Sequence, residues 1–165
     1  MRALVFVLAT ALAGPVFAQP TGPQPVLPPK LFASSAEIAG LIAQSKADHD
    51  AGKPTPSKRV IGLAPYNAAL EYRTAIGPAA VHEKEAEMFF VMEGSGVLTT
   101  GGKLTAETRV NPENLSGTGI AGGQAQPVAK GDVLIVPENT PHWFSTINGT
   151  LVMVSMHVPR PVGAH

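Results

Sequence analysis

The sequence predicts an all-β, antiparallel fold carrying one short N-terminal helix. Three observations lead there. From about Arg59 onward the chain breaks into short apolar or alternating runs, the texture of half-buried strands. Turn-forming residues separate those runs: Gly77-Pro78, Gly94-Ser95-Gly96, Gly101-Gly102, Lys130-Gly131-Asp132, Pro137 to Pro141, and Asn148-Gly149. A single stretch upstream of them carries helical spacing. Many short strands with regular turns and one helix describe an antiparallel sandwich or barrel.

Residues 1–18 read as a secretory signal peptide. Arg2 is the basic end, Ala3 to Ala13 is a short apolar run, and Val16-Phe17-Ala18 offers a cleavage site before Gln19. Gly14 and Pro15 break the helix just ahead of that site. The run is too short to span a bilayer. The mature protein is therefore expected to be exported, periplasmic or secreted, with no stable membrane anchor. Residues 19–33 hold Pro20, Pro23, Pro25, Pro28 and Pro29, which marks an extended leader. Residues 34–58 form a helix and loop: Ser34 and Glu37 make a capping box, and Ile38, Leu41 and Ile42 share one face. Gly52 and Pro54 end the helix.

Residues 59–165 make the β domain. Its candidate strands are Val60–Leu63, Ala68–Ile76, Glu87–Glu93, Val97–Thr100, Val133–Val136, His142–Ile147 and Leu151–Val158. Asn148-Gly149 between two apolar runs predicts a hairpin. The glycine-rich stretch Asn111 to Gln126 predicts an irregular excursion between strands. Asn114-Leu115-Ser116 and Asn148-Gly149-Thr150 match the glycosylation sequon, and the second is better explained as a turn.

At 165 residues the chain can build one domain with a real core. Its 12 basic and 12 acidic residues cancel, and removing residues 1–18 takes away only Arg2, giving 11 − 12 = −1. No basic face is implied, so nucleic acid is not an expected partner. There is no cysteine, which excludes thiolate metal sites, cysteine nucleophiles and disulfides. An exported protein without disulfides must be held by its core, or by its core and a metal. No nucleophile–base pair, phosphate loop or dinucleotide fingerprint is present, so hydrolase and nucleotide-binding readings fall away.

Five histidines remain to be placed. His49 ends the helix between Asp48 and Asp50, and His165 is the terminal residue. His82, His142 and His157 lie on or beside strands. In the segment His82 to Gly94, a period of two puts Glu87, Phe89 and Val91 on one face. A carboxylate on a buried face is costly unless it is paired or bound to a metal. In the segment Gly131 to His142, Pro137 and Pro141 fix φ and Asn139 tolerates positive φ, so one imidazole is held rigidly.

These two segments resemble the paired motifs of the cupin superfamily. The family's second motif runs Gly, five residues, Pro, one residue, Gly, two residues, His; Gly131, Pro137 and His142 match it, with Asn139 in place of the second Gly. The family's trailing Asn falls at Thr146. The first motif ends in Glu, six residues, Gly, as do Glu87 and Gly94. Of its paired histidines, His82 is read as the second, with Ala80 replacing the first, in preference to reading it as the first, with Lys84 replacing the second and the spacing one short. The resemblance spans roughly residues 60–158. It implies an antiparallel jelly-roll β-barrel with an internal site.

The resemblance also implies His82, Glu87 and His142 as ligands of a divalent transition metal, Fe, Mn, Ni, Cu or Zn, with coordination positions left open. Phe89 and Phe144 share the parity of Glu87 and His142 and would line a small-molecule pocket, while Trp143 would point away. His157 is either a replacement ligand and pocket residue or an ordinary strand histidine. Arg73 either reaches an anionic ligand or pairs with Glu71 at the surface. Two functions follow. One is an exported metal-dependent enzyme on a small organic substrate, an oxidoreductase or dioxygenase. The other is a non-catalytic ligand-binding or sensor protein without metal. Exposed sheet edges make a homodimer the expected assembly.

Overall fold

The computed structural model describes residues 27–160; the predicted signal peptide, most of the leader and His165 lie outside the described residues. The elements are α1 (Ser35–Asp50), β1 (Lys58–Leu63), β2 (Tyr66–Arg73), β3 (Ala79–His82), β4 (Glu85–Thr100) and β5 (Lys103–Thr105). They continue with β6 (Thr108–Asn111), β7 (Asn114–Gly117), β8 (Gly119–Ala121), β9 (Gln124–Ala129), β10 (Val133–Val136) and β11 (His142–Pro159). Every strand pairing is antiparallel. The fold is an all-β jelly roll with one helix, as the sequence predicts.

The helix starts where its cap requires. The Ser34 hydroxyl accepts the Glu37 backbone N–H at 3.1 Å. Ile38, Leu41 and Ile42 pack against Val60, Leu70, Tyr72 and Val152 on one face of β1, β2 and β11. The opposite face carries a second core: Phe89, Val91, Leu98, Phe144, Leu151 and Met153, all buried. Alternation along β2 therefore matters. Ala68, Leu70 and Tyr72 are buried, while Ala69, Glu71 and Arg73 have the other parity and only partial burial.

Two long strands organise the sheet. The first half of β11 pairs with the second half of β4, and its second half pairs with the first half of β4 and with β2. The predicted hairpin at Asn148-Gly149 does not form. Three residues, Asn148 to Thr150, stand opposite the single Ser95, between the pairs Ile147–Gly96 and Leu151–Gly94. This is a bulge rather than a reversal, and it bends both strands without ending either. Gly94 makes the close approach possible: its φ is 80°, and a Cβ there would lie 1.8 Å from the Thr150 carbonyl oxygen. For the same reason Gly94 to Gly96 is no turn, and the two predicted strands on either side of it are one.

The stretch Asn111 to Gln126 also departs from expectation. It is built of short strands β7, β8 and the start of β9, with β7 paired to β3 and β9 to β4. Its glycines are needed where backbones pack closely: a Cβ on Gly117 would sit 2.7 Å from the Thr105 carbonyl oxygen.

Candidate metal centre

Glu87 lies on β4 between two neighbours, opposite Val136 of β10 and His157 of β11. It is 5 % exposed, in line with Phe89 and Val91. His82 ends β3. His142 opens β11 and pairs with Ala80. The loop that delivers His142 is pinned to the strand that delivers His82: Asn139, at φ 56°, donates its backbone N–H to the His82 carbonyl at 2.7 Å. At the far end of β10, Gly131 at φ 94° donates to Val91 and Asp132 accepts from Ala129 N–H. The two sequence segments are thus tied to each other on both sides of β10.

The three side chains converge. Nε2 of His142 is 3.1 Å from Glu87 Oε2, and Nε2 of His82 is 3.3 Å from the same oxygen. One donor atom from each of the three residues lies within 4.8 Å of the others. Donors about 2.1 Å from one ion stand about 3 Å apart when they meet at a right angle, so the spacing fits a shared cation.

The hydrogen bonds behind the rings decide what the front atoms carry. Asn111 Oδ1 accepts the backbone N–H of Glu113, so it is an oxygen that Asn114 Nδ2 must donate to, at 3.0 Å. That orients Asn114 with Oδ1 towards His82 Nδ1, 2.6 Å away. His82 therefore carries its proton on Nδ1. His142 Nδ1 faces the Thr140 carbonyl at 3.1 Å, which can only accept. In the neutral rings both Nε2 atoms present lone pairs to a carboxylate that also has only lone pairs. Such a cluster requires a cation at its centre, either protons or a metal.

With protons there, the groups respond accordingly. Burial raises the Glu87 carboxyl, but hydrogen bonds from His142 and His82 outweigh it and bring the pKa to about 2. The hydrogen bond to Glu87 lifts His82 above 6.5, against the opposing effect of burial.

A cavity of about 220 Å³ opens on this cluster. Phe144 and His157 line it. The His157 ring stands edge-on to His82 with centroids 4.8 Å apart, and its Nε2 is 3.5 Å from Glu87 Oε1. Its Nδ1 is 2.7 Å from Glu85 Oε2 but out of line for a hydrogen bond, and no other partner meets it among the described residues. Phe89 is not part of the lining: it is 1 % exposed and sits behind the wall, edge-on to Phe144 at 5.2 Å. Parity gave its face correctly, but Phe144 and His142 stand between it and the cavity. Trp143 does line the cavity, its Nε1–H bonded to the Gly77 carbonyl at 2.9 Å. Arg73 and Glu71 do pair, on the cavity side rather than on an outer surface.

The sequence marks Asn114 only as the start of a sequon; its place behind His82 comes from the pairing of β3 with β7, which no local pattern records. Ser155, buried beside Glu71, had a signal: it shares parity with Met153 and His157 on β11.

Fold and site together define a small antiparallel jelly-roll protein with an internal histidine–carboxylate centre. The family model described as Cupin matches residues 55–161, and the chain belongs to the cupin family. None of the curated proteins shows a significant match. Solved structures resemble it at low identity. Hydroquinone 1,2-dioxygenase from Sphingomonas sp. TTNP3, with 4-hydroxybenzoate bound, has a TM-score of 0.50 and 14 % identity over 66 % of this chain and 68 % of that one. KdgF from Halomonas sp. gives 0.46 and 17 %, over 64 % and 80 % of the two chains. Cobalt(II) HppE in complex with Tris buffer gives 0.46 and 15 %, over 62 % of this chain and 52 % of its own. At such identities the likeness is one of fold.

Proposed function

We propose that this cupin holds a divalent transition metal on His82, Glu87 and His142 and acts as an oxidoreductase on a small organic molecule. The observation that carries this reading is the pair of imidazoles whose Nδ1 protons are fixed by Asn114 and Thr140, leaving both Nε2 lone pairs aimed at one buried carboxylate. A bound ion would supply Lewis acidity at its open positions and, for a redox-active metal, an electron. The chain's own residues do the rest. Asn114 and Thr140 orient the rings. Phe144 and Trp143 wall the cavity, which lowers the local dielectric and strengthens polar contacts inside it. The signal-like residues 1–18 support an exported protein.

The second reading, ligand binding without metal, rests on Ala80, which stands beside His142 in place of the family's first histidine. One experiment separates the two: metal analysis of the mature protein purified without chelator, beside His142→Ala and Glu87→Gln. One metal per chain in the wild type, lost in both variants, is expected. A protein that takes up no ion under any supplied metal overturns the proposal.

A further inference from the structure

The metal ligands occupy only one side of the cavity. On another side stands a cation that the metal reading does not use. Arg73 Nε donates to Glu71 Oε2 at 2.7 Å, and Nη2 lies 2.5 Å from the same oxygen. The other Glu71 oxygen accepts the hydroxyl of Ser155 at 2.8 Å. Ser155 is 2 % exposed, so Glu71 is anchored from inside the core. The guanidinium is also held over the Phe144 ring, its Cζ 5.0 Å from the centroid. Arg73 is thus fixed on two sides, by a carboxylate that Ser155 anchors and by an aromatic face.

What remains is its Nη1 edge, which has no hydrogen-bond partner among the described residues. A solvent-exposed pair would hold its partners loosely. Here a serine, a glutamate and a phenylalanine fix one arginine with three N–H groups unspent, two of them on Nη1, in the cavity that holds the histidine cluster. Charge points the same way. The ionised residues of the lining are Glu71, Glu87 and Arg73. With neutral histidines and a divalent ion on the cluster, the sum is 2 + 1 − 2 = +1, which a monoanion neutralises. The cavity of about 220 Å³ lies below the range of about 300 to 1,000 Å³ that holds drug-sized ligands, so the anion is small.

We propose that the substrate or ligand of this site is a small monocarboxylate, its carboxylate bound by the Nη1 edge of Arg73 and its remaining atoms directed to the His82–Glu87–His142 cluster. This deepens the proposed function, and its charge argument rests on the metal assigned there. Glu71 and Ser155 are positioning residues for Arg73.

The test is calorimetric titration of the metal-loaded mature protein with butyrate and benzoate, each beside its neutral amide, and with inorganic phosphate. Both acids are expected to bind at least about tenfold more tightly than the amides, the discrimination a charge-assisted hydrogen bond gives, and more tightly than phosphate. Arg73→Met is expected to abolish that preference while leaving the metal content unchanged. Because that variant leaves Glu71 without its cation, Arg73→Met combined with Glu71→Gln is measured alongside, with far-ultraviolet circular dichroism to establish folding. Equal binding of acid and amide, tighter binding of phosphate, no binding of either acid, or a preference that survives in the folded double variant overturns the proposal. Arg73-dependent carboxylate binding by a protein that takes up no metal would instead sustain this inference and defeat the metal assignment. Metal uptake without carboxylate preference would do the reverse.

Discussion

Asn114 lies 32 residues from His82 along the chain, yet it decides which imidazole nitrogen faces the centre. Replacing it by leucine removes the acceptor for Nδ1–H and frees the ring to adopt the other tautomer. Loss of such an outer partner typically costs about tenfold or more in metal affinity, so Asn114→Leu is expected to lose metal to a competing chelator at least that much more readily, with the β-fold retained. The pH response of the metal-free protein belongs to the same three side chains. His82 is raised above 6.5, so its stabilisation is complete below that pH and is lost as pH rises through the raised value. Glu87 is lowered from 4.5 to about 2, so its stabilisation is present above pH 4.5 and is lost as pH falls through about 2. Thermal melts of the metal-free protein are expected to show greatest stability between 4.5 and 6.5. A bound metal takes the proton's place, and the alkaline decline is then expected to disappear.

At the scale of elements, the bend shared by β4 and β11 is the feature on which the site depends. It lets one strand of 16 residues and one of 18 run through the domain without a break, so that His142 and His157, at opposite ends of β11, both meet Glu87. Gly94 carries this bend through its positive φ and its contact with the Thr150 carbonyl. Gly94→Ala is expected to destabilise the fold by more than about 2 kcal/mol, since the left-handed backbone alone costs an alanine about 1 to 2 and the carbonyl must also move. Gly149 is the internal control: its φ is 75°, but a Cβ there meets nothing within 4 Å, so Gly149→Ala incurs only the backbone cost. Urea denaturation of the two variants checks the difference. The loop from Pro137 to Pro141 works by another means. Its prolines and the left-handed Asn139 fix a path whose one backbone bond to His82 ties the two motifs together.

Across the whole molecule, the helix and the site lie on opposite faces of the same strands, β2 and β11. Leu70 and Tyr72 anchor α1, and the intervening Glu71 and Arg73 face the cavity. That division was legible in the sequence as alternation, because the side-chain period of a strand is a local property. So were the Ser34 cap, the helix face, the Gly131 to His142 loop, and the shared parity of Glu87, Phe89 and Val91. Each depends on φ, ψ and facing direction, which neighbouring residues set among themselves. The sequence by itself therefore determined the fold class, while the three converging side chains were named by the resemblance of the two motif segments to the cupin pattern. Only the tertiary structure decided that Asn148-Gly149 bulges instead of turning, because Ser95 and Gly94 on another strand accept the extra residues. Only it turned a glycine-rich stretch into strands, because β3 and β4 offered edges to pair with. It also set Asn114 behind His82 and closed Ser155 and Glu71 around Arg73. These are contacts between residues far apart in the chain, and no local pattern records which distant backbone will lie alongside.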